Sequence, residues 1–399
     1  MRILHTSDWH LGCELYGQRR AEAYDRFLAW LKKTIVTEHV DALLLAGDVF
    51  DTANPPHGAE KQYYSFLASL LGTCCKDVVV IAGNHDSPTK LEAAGELLSA
   101  LNIHVIAEPN EEKLIIPVGS EVVVLAVPFL RPADFLSGVE GESQQEKTVR
   151  FSQAVKVYYQ KLVDQAKGTY PGRKIIAMGH CFLSVSVVPD DIHGGAVPVG
   201  GLENLGTDIF PASVSYVALG HLHIPQKVEK EWIRYSGSPI PISFSEVGRN
   251  KEVVLLDTDT DPITIQPIPI PEFSHLEVIR ETTVSAMTDR LSLLAKETEP
   301  VWVDARYTGE EPVATLTESL QDAVQGTSVS ILRISDEART RRILREQEQA
   351  QDISQLSPMD LFTLKCKEEG VTTEQMETLQ PLFREIEEAV RKGGGDAHP

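Results

Sequence analysis

The sequence predicts an α/β fold, a parallel or mixed sheet with helices packed on it, followed by a smaller α+β unit. Two observations predict this. Over residues 1–110, apolar runs of strand length alternate with stretches whose apolar residues recur at helical spacing. Along the chain, five strand-like runs end in His, Asp or Asn, usually beside glycine. Open α/β sheets bind ligands at the carboxyl ends of their strands.

Arg2 to Ser7 reads as the first strand, and Tyr24, Phe27, Leu28, Leu31 and Ile35 then share one helical face. Asp41 to Ala46 is a buried strand, 59–72 a helix, and "DVVVIAG" (77–83) a third strand. "LEAAGELLSAL" reads as a third helix and "IHVIAE" as a fourth strand. The pattern continues through "EVVVLAVP" (121–128), a helix at 145–167, "KIIAMGH" and "YVALGH". Shorter strands follow at "WIRYSGSP" and "EVVLLDTD".

Proline-rich "DPITIQPIPIPEF" (261–273) reads as a domain boundary, because proline cannot sit at the centre of a sheet. A smaller unit follows: strands at 275–280, 301–307 and 328–334, with helices at 284–297 and 313–325. The stripes Met287, Leu291, Leu294 and Leu316, Leu320, Ala323 mark the buried helix faces. "DEARTRRILREQEQAQD" is polar and reads as a linker. Ser357-Pro358 is a helix start, and Met376, Leu379, Phe383, Ile386 and Val390 form an apolar face with little core of its own. Such a face calls for a partner, or for folding back on its own domain. "RKGGGDAHP" reads as disordered. The expected divisions are 1–270, 271–336, 337–356, 357–392 and 393–399.

No stretch approaches 18 uninterrupted apolar residues, so no membrane span is predicted. The first residues lack the basic-then-apolar order of a signal peptide, and the expected location is the cytoplasm. Five cysteines without CxxC spacing fit reduced thiols. A formal net charge of -21 excludes a free-standing, strongly basic DNA-binding domain. Nucleic acid remains compatible, since bound cations offset carboxylates and a partner subunit can supply positive surface.

The chemistry lies in "SDWH" (7–10), "GDVFD" (47–51), "GNHD" (83–86), "GH" (179–180) and "GHLH" (220–223). Asp8 and His10 are two apart, as are His221 and His223, so in extended chain each pair points to one side. Mixed carboxylate, amide and imidazole donors suit Mn, Fe or Zn, and the lack of cysteine argues against structural zinc. Asp8, His10, Asp48, Asn84, His180, His221 and His223 are too many for one ion. Two ions sharing Asp48 would use them all, and two ions about 3.5–4 Å apart clamp both oxygens of a phosphoester displacement. Singly, DxH is commonplace, GDxxD serves as a cap or turn, and His180 would pass for a core histidine. All five together, each after a strand, point to metal-dependent phosphoester chemistry. His5, His39, His57, His104, His193, His275 and His398 read as structural or solvated, His5 least securely because its strand leads to Asp8.

These motifs are those of the calcineurin-like metallophosphoesterase superfamily. More narrowly, "MRILHTSDWHLG", "AGDVFDTANPP", "AGNHDS", "ALGHLH" and "RYSGSPIPISFSE" resemble the SbcD family of bacterial nuclease subunits. The resemblance covers nearly the whole chain, with a weaker match at "LSPMDLF" near its end.

It implies a four-layer αββα nuclease core, a small capping domain, and a C-terminal helical segment that binds the coiled-coil base of an SbcC-type ATPase. Asp8, His10, Asp48 and His223 would hold one ion, and Asp48, Asn84, His180 and His221 the other. Manganese is the implied ion, with magnesium the alternative. His85 would face the scissile phosphate, and Asp86 would orient it. Asp51 stands where archaeal double-strand-break nucleases carry a histidine, so that histidine's role is not transferred; Asp51 is expected to accept from a ligating histidine instead.

The implied reaction is attack of metal-activated water on a DNA phosphodiester, giving 3′-to-5′ exonuclease and hairpin or single-strand endonuclease activity in repair and recombination. A homodimer through the helices at 59–72 and 88–101 and a nucleoid-associated cytoplasmic location are further expectations. Two rivals remain. One is a small-molecule phosphodiesterase or protein phosphatase of the same fold, although Thr52-Ala53 stand where protein phosphatases carry the arginine of GDxVDRG. The other is a scaffold that binds its partner without cutting.

Overall fold

The computed structural model describes residues 1–137, 141–184, 186, 205–310, 313–337, 339–340, 358–369 and 371–393. Most of the linker expected at 337–356, and the tail beyond 393, lie outside the described residues. The chain forms two compact units, Met1–Leu276 and Glu277–Pro399.

The first unit opens with β1 (Arg2–Thr6) and a hairpin of β2 (Glu14–Leu15) and β3 (Gln18–Arg19). Helix α1 (Ala21–Thr37) leads to β4 (Ala42–Ala46), α2 (His57–Leu70) to β5 (Asp77–Ile81), and α3 (Pro88–Leu91) with α4 (Gly95–Ser99) to β6 (Ile103–Ile106). Strands β7 (Ile115–Val118) and β8 (Val122–Ala126), then α5 (Pro132–Phe135) and α6 (Gln144–Thr169), precede β9 (Lys174–His180) and β10 (Tyr216–Gly220). Four strands follow: β11 (Gln226–Val228), β12 (Lys230–Tyr235), β13 (Glu252–Asp257) and β14 (Thr264–Pro269).

These strands make two six-stranded sheets, ordered β14-β13-β1-β4-β5-β6 and β11-β12-β10-β9-β8-β7. Strands β1, β4, β5 and β6 run parallel, as do β8, β9, β10 and β12. Alternation along the strands builds the layers. Leu4, Leu43, Leu45, Val78 and Val80 share a core with Phe27, Leu31, Tyr63 and Phe66 of α1 and α2. Their neighbours Ile3, Leu44, Ala46, Val79 and Ile81 join the second sheet's Val124, Ala177 and Ala218, and that core continues to Phe151, Val155 and Leu162 of α6. The order is helices, sheet, sheet, helix. All the polar-ended strands run parallel to a strand neighbour, and their carboxyl ends meet.

Three local expectations are corrected. The single helix read at "LEAAGELLSAL" is two short pieces, α3 and α4, broken where the Glu92 carboxylate accepts from the Ala107 N–H at 2.8 Å. The proline-rich stretch read as a boundary holds β14, with Pro267 and Pro269 paired to β13 on the sheet's edge. The proline rule bars a central strand and allows an edge strand. The β2–β3 hairpin was not anticipated. Tyr16 (φ 49°) and Gly17 (φ 79°) form its two-residue loop, both in the left-handed region such a loop requires.

The second unit carries a three-stranded sheet, β15 (His275–Glu281), β16 (Val301–Tyr307) and β17 (Val329–Asp336), with α7 (Val284–Leu294) and α8 (Leu316–Val324). Met287, Leu291, Leu294, Leu316 and Leu320 are buried in its core. Helices α9 (Pro358–Glu368) and α10 (Thr373–Gly393) follow, and Phe362 stacks on Phe383 with ring centroids 4.2 Å apart.

Candidate metal centre

Asp8 and His10 follow β1, Asp48 follows β4, and Asn84 and His85 follow β5; His180 ends β9, and His221 and His223 follow β10. The turns after β1 and β4 run side by side, with Asp8 N–H donating to Gly47 O and His10 N–H to Asp48 O, both at 3.0 Å. Asp8 (φ 51°), His10 (φ 47°), Asp48 (φ 47°) and His221 (φ 106°) all lie in the left-handed region. Non-glycine residues there cost about 1–3 kcal/mol each, a strain typical of functional sites. Glycine permits the close approach: a Cβ on Gly83 would stand 2.1 Å from Asp48 Oδ1, and one on Gly220 1.8 Å from the Ala46 carbonyl oxygen.

Second partners fix the rings. His180 Nδ1 lies 3.0 Å from the Ala46 carbonyl, which can only accept, so Nδ1 carries the proton. Its Nε2 is left facing Asn84 Oδ1 at 3.0 Å and Asp48 Oδ2 at 3.2 Å. His10 Nδ1 lies 3.2 Å from Asp51 Oδ1, and its Nε2, 3.5 Å from Asp48 Oδ2, is buried with no hydrogen-bond partner. The His221 N–H donates to Asp8 Oδ1 at 2.8 Å, and its ring Nδ1 lies 3.1 Å from Asn84 Oδ1. Donor atoms of Asp8, His10 and His223 lie within 4.8 Å of one another, and so do those of Asp8, Asp48 and His180. An orphaned buried imidazole nitrogen among converging oxygens is chemistry a divalent cation completes. The residues present fit the two ions expected.

Burial raises the Asp8 carboxyl. Burial would also raise Asp48, but His180 and His10 outweigh it and hold Asp48 well below the usual carboxylate range. Burial disfavours charge on His180, yet Asp48 and Asp8 lift it to about 9. His221 is pushed down to about 3 by burial and by His180. In the metal-free pocket, positive charge is thus favoured at its centre.

His85 is exposed, and its Nδ1 donates to the Asp51 carbonyl at 2.7 Å, which leaves Nε2 outermost. The orienting role expected of Asp86 is corrected here. Its buried carboxylate accepts backbone N–H groups of Gly83 (2.9 Å), Phe50 (3.0 Å) and Val49 (3.1 Å), tying the turn after β5 to that after β4. Three donors already in place hold this carboxylate away from the ring. Asp51 takes both jobs, its side chain on His10 and its carbonyl on His85.

The profile of the calcineurin-like phosphoesterase family matches residues 1–225, and that of the type 5 capsule protein repressor C-terminal domain matches residues 272–370. The SbcD subunit of the nuclease SbcCD from Escherichia coli K12 is 33% identical over 96% of this chain and 97% of its own. The chain belongs to the SbcD family. Its similarity extends to the SbcD subunit of Rhodobacter capsulatus, 32% identical over 91% of this chain and 93% of its own. For that of Bacillus subtilis the figures are 38% over 64% and 66%.

In this SbcD-family chain a further ring of residues escaped sequence reading. Glu246, Lys251 and Ser238 are buried beside His223. Burial opposes the Glu246 charge, but Lys251 and His223 bring its carboxyl down to about 2. Ser7 Oγ donates to Asp8 Oδ2 at 2.5 Å and lies 2.8 Å from Ser236 Oγ. Serines and a distant glutamate carry no strand-end signature, although Glu246 does close the quoted "RYSGSPIPISFSE".

Proposed function

We propose that the chain is the DNA-cutting subunit of a two-component end-processing complex, hydrolysing phosphodiesters at a two-ion site. An intact ligand set in a chain similar along 96% of its length to a subunit named as a nuclease carries this reading. Asp8, His10, Asp48 and His223 would hold one ion, and Asp48, Asn84, His180 and His221 the other, most suitably manganese, with magnesium the alternative. Divalent ions so held supply water activation and neutralise charge developing on the phosphate.

The chain's own groups do the rest. Ala46 O and the Asp51 side chain hold His180 and His10 with Nδ1 turned away from the centre. The Asp51 carbonyl keeps the proton of His85 on Nδ1 in the resting ring, which leaves Nε2 open to take up a proton and pass it to the leaving oxygen. Asp86 keeps the two turns in register beneath it. No protein nucleophile is required.

The partner would be an SbcC-type ATPase, as the relatives' names indicate, engaged through α9 and α10, where Leu361, Leu379, Leu382 and Ile386 are exposed. Self-association would use α2 and the α3–α4 segment, whose neighbourhood exposes Leu71, Leu97 and Leu101. No helix among the described residues is long and apolar enough to cross a membrane, and we place the protein with the nucleoid in the cytoplasm. The activities expected are 3′-to-5′ exonuclease on duplex ends and endonuclease on hairpins and single strands.

The test is Mn²⁺-dependent cleavage of a hairpin-ended duplex, with and without the ATPase and ATP, beside His85→Ala. Cleavage by the native chain that His85→Ala abolishes while metal stays bound is the expected result. Intact DNA alongside a hydrolysed chromogenic phosphodiester would instead indicate a small-molecule enzyme. Bound metal without any turnover would indicate a scaffold.

A further inference from the structure

A loop that runs from β12 back to β13 carries a buried ion pair that the proposed chemistry does not use. Glu246 (3% exposed) pairs with Lys251 (7% exposed), and both meet Ser238 Oγ, at 3.0 and 2.8 Å. A charge pair with so little water contact is expensive unless its remaining donors and acceptors are satisfied. Here they are satisfied by His223. Lys251 Nζ donates to the His223 carbonyl at 2.9 Å, and the Ser238 N–H donates to the same oxygen at 3.2 Å. Glu246 Oε1 stands 3.6 Å from His223 Nδ1, at ion-pair distance. One histidine is therefore held at both ends, its backbone by the ammonium and its ring by the carboxylate.

We propose that Glu246 and Lys251 are a positioning clamp that fixes the backbone, ring plane and tautomer of His223. The carboxylate keeps the proton on Nδ1, which leaves Nε2 for the ion shared with Asp8 and His10. Other imidazoles of the site take the same bond from closer by: His180 from the Ala46 carbonyl and His10 from Asp51. His223 stands farthest along its turn from β10, and a loop returning from the neighbouring β12 supplies the anchor that its own strand does not. The proposal rests on reading His223 as a metal ligand.

Removing one charge would leave the other buried and unpaired, so the test replaces both. Glu246→Met/Lys251→Met keeps the volume and deletes the clamp; Glu246→Gln/Lys251→Met restores an acceptor for Nδ1–H. The unfolding temperature in chelator shows whether each variant folds. Mn²⁺ titration by calorimetry and imidazole ¹⁵N shifts of the metal-free chain are the readouts. Expected is a loss of affinity of about 10–100-fold at one of two sites for the Met/Met form, partly recovered in the Gln/Met form. The His223 signal should change from a single Nδ1–H tautomer to a mixture. A merely structural pair would lower the unfolding temperature and move neither readout, which overturns the clamp. His223→Ala separates the two claims: if it too leaves both Mn²⁺ affinities unchanged, the ligand reading fails, and the clamp with it.

Discussion

His5 sits inside the first unit's core with both ring nitrogens occupied. Its Nε2 lies 3.2 Å from the Leu219 carbonyl, which can only accept, so Nε2 carries the proton. Nδ1 then accepts from the Tyr216 hydroxyl at 3.0 Å. A neutral ring thus ties β1 to β10 across the two sheets, and burial, with a smaller effect of Arg234, pushes its pKa down to about 3. The unfolded chain takes up this proton below pH 6.5 while the folded chain refuses it until about pH 3. Stability contributed by His5 is therefore complete above pH 6.5 and lost progressively as pH falls toward 3. By pH 5 the loss is about 2 kcal/mol. Urea unfolding at pH 7.5 and pH 5, in chelator, should show the native chain losing about that much more than His5→Gln, a comparison that cancels the other titrating groups. Equal losses would mean that His5 is not the linked group. The sequence marked His5 as the least secure of the non-ligand histidines because of its strand; its structural role was decided by residues more than two hundred positions away, which strand patterns do not report.

At the scale of elements, the carboxyl strand ends were legible because an apolar run stopped by Asp or His beside glycine is a local signal. The glycines themselves make a sharp prediction. Gly83→Ala would drive a Cβ to 2.1 Å from Asp48 Oδ1 and 2.4 Å from its backbone nitrogen, so the turn after β4 must move. The expected outcome is at least a tenfold loss of Mn²⁺ affinity by calorimetric titration, with about 1–3 kcal/mol of lost stability. Gly58→Ala, in the first turn of α2 with nothing within 4 Å, should instead stabilise by about 0.4–1 kcal/mol. Legibility failed where a tertiary bond overrode a helical pattern, as Glu92 does between α3 and α4, and where an edge position made prolines acceptable in β14. In α9 and α10 the apolar stripe was legible but not its division: Phe383 is spent on Phe362, while Leu382 and Ile386 stay exposed. Leu382→Glu/Ile386→Glu should cut co-purification with an SbcC-type ATPase at least tenfold while leaving Mn²⁺-dependent cleavage by the isolated chain unchanged. Undiminished capture would place the partner's contact elsewhere.

At the scale of the molecule, the site's position has a consequence for folding. Asp8, His10, Asp48 and Asn84 hang from the first sheet, and His180, His221 and His223 from the second. Ions held between them cross-link two layers whose other bonds, apart from His5 and the His180–Ala46 contact, are largely apolar packing. The strained φ values of Asp8, His10, Asp48 and His221 and the buried, mutually repelling carboxylates add a cost that the metal-free fold must carry alone. A ligand that binds only the folded state adds about 2.7 kcal/mol at a hundredfold excess over its Kd. Two occupied sites should therefore raise the unfolding temperature of Met1–Leu276 by at least several degrees in calorimetry with Mn²⁺ against chelator. All the proposed ligands lie in this unit, so a transition belonging to Glu277–Pro399 should not respond. Asp48→Asn weakens the one residue assigned to both ions and should remove most of the gain, whereas a change at a single-ion ligand such as His221→Ala should remove about half. If Asp48→Asn and His221→Ala cost the same, Asp48 is not shared and the site is two separate ions or one. That result would redraw the centre without touching the fold that positions it.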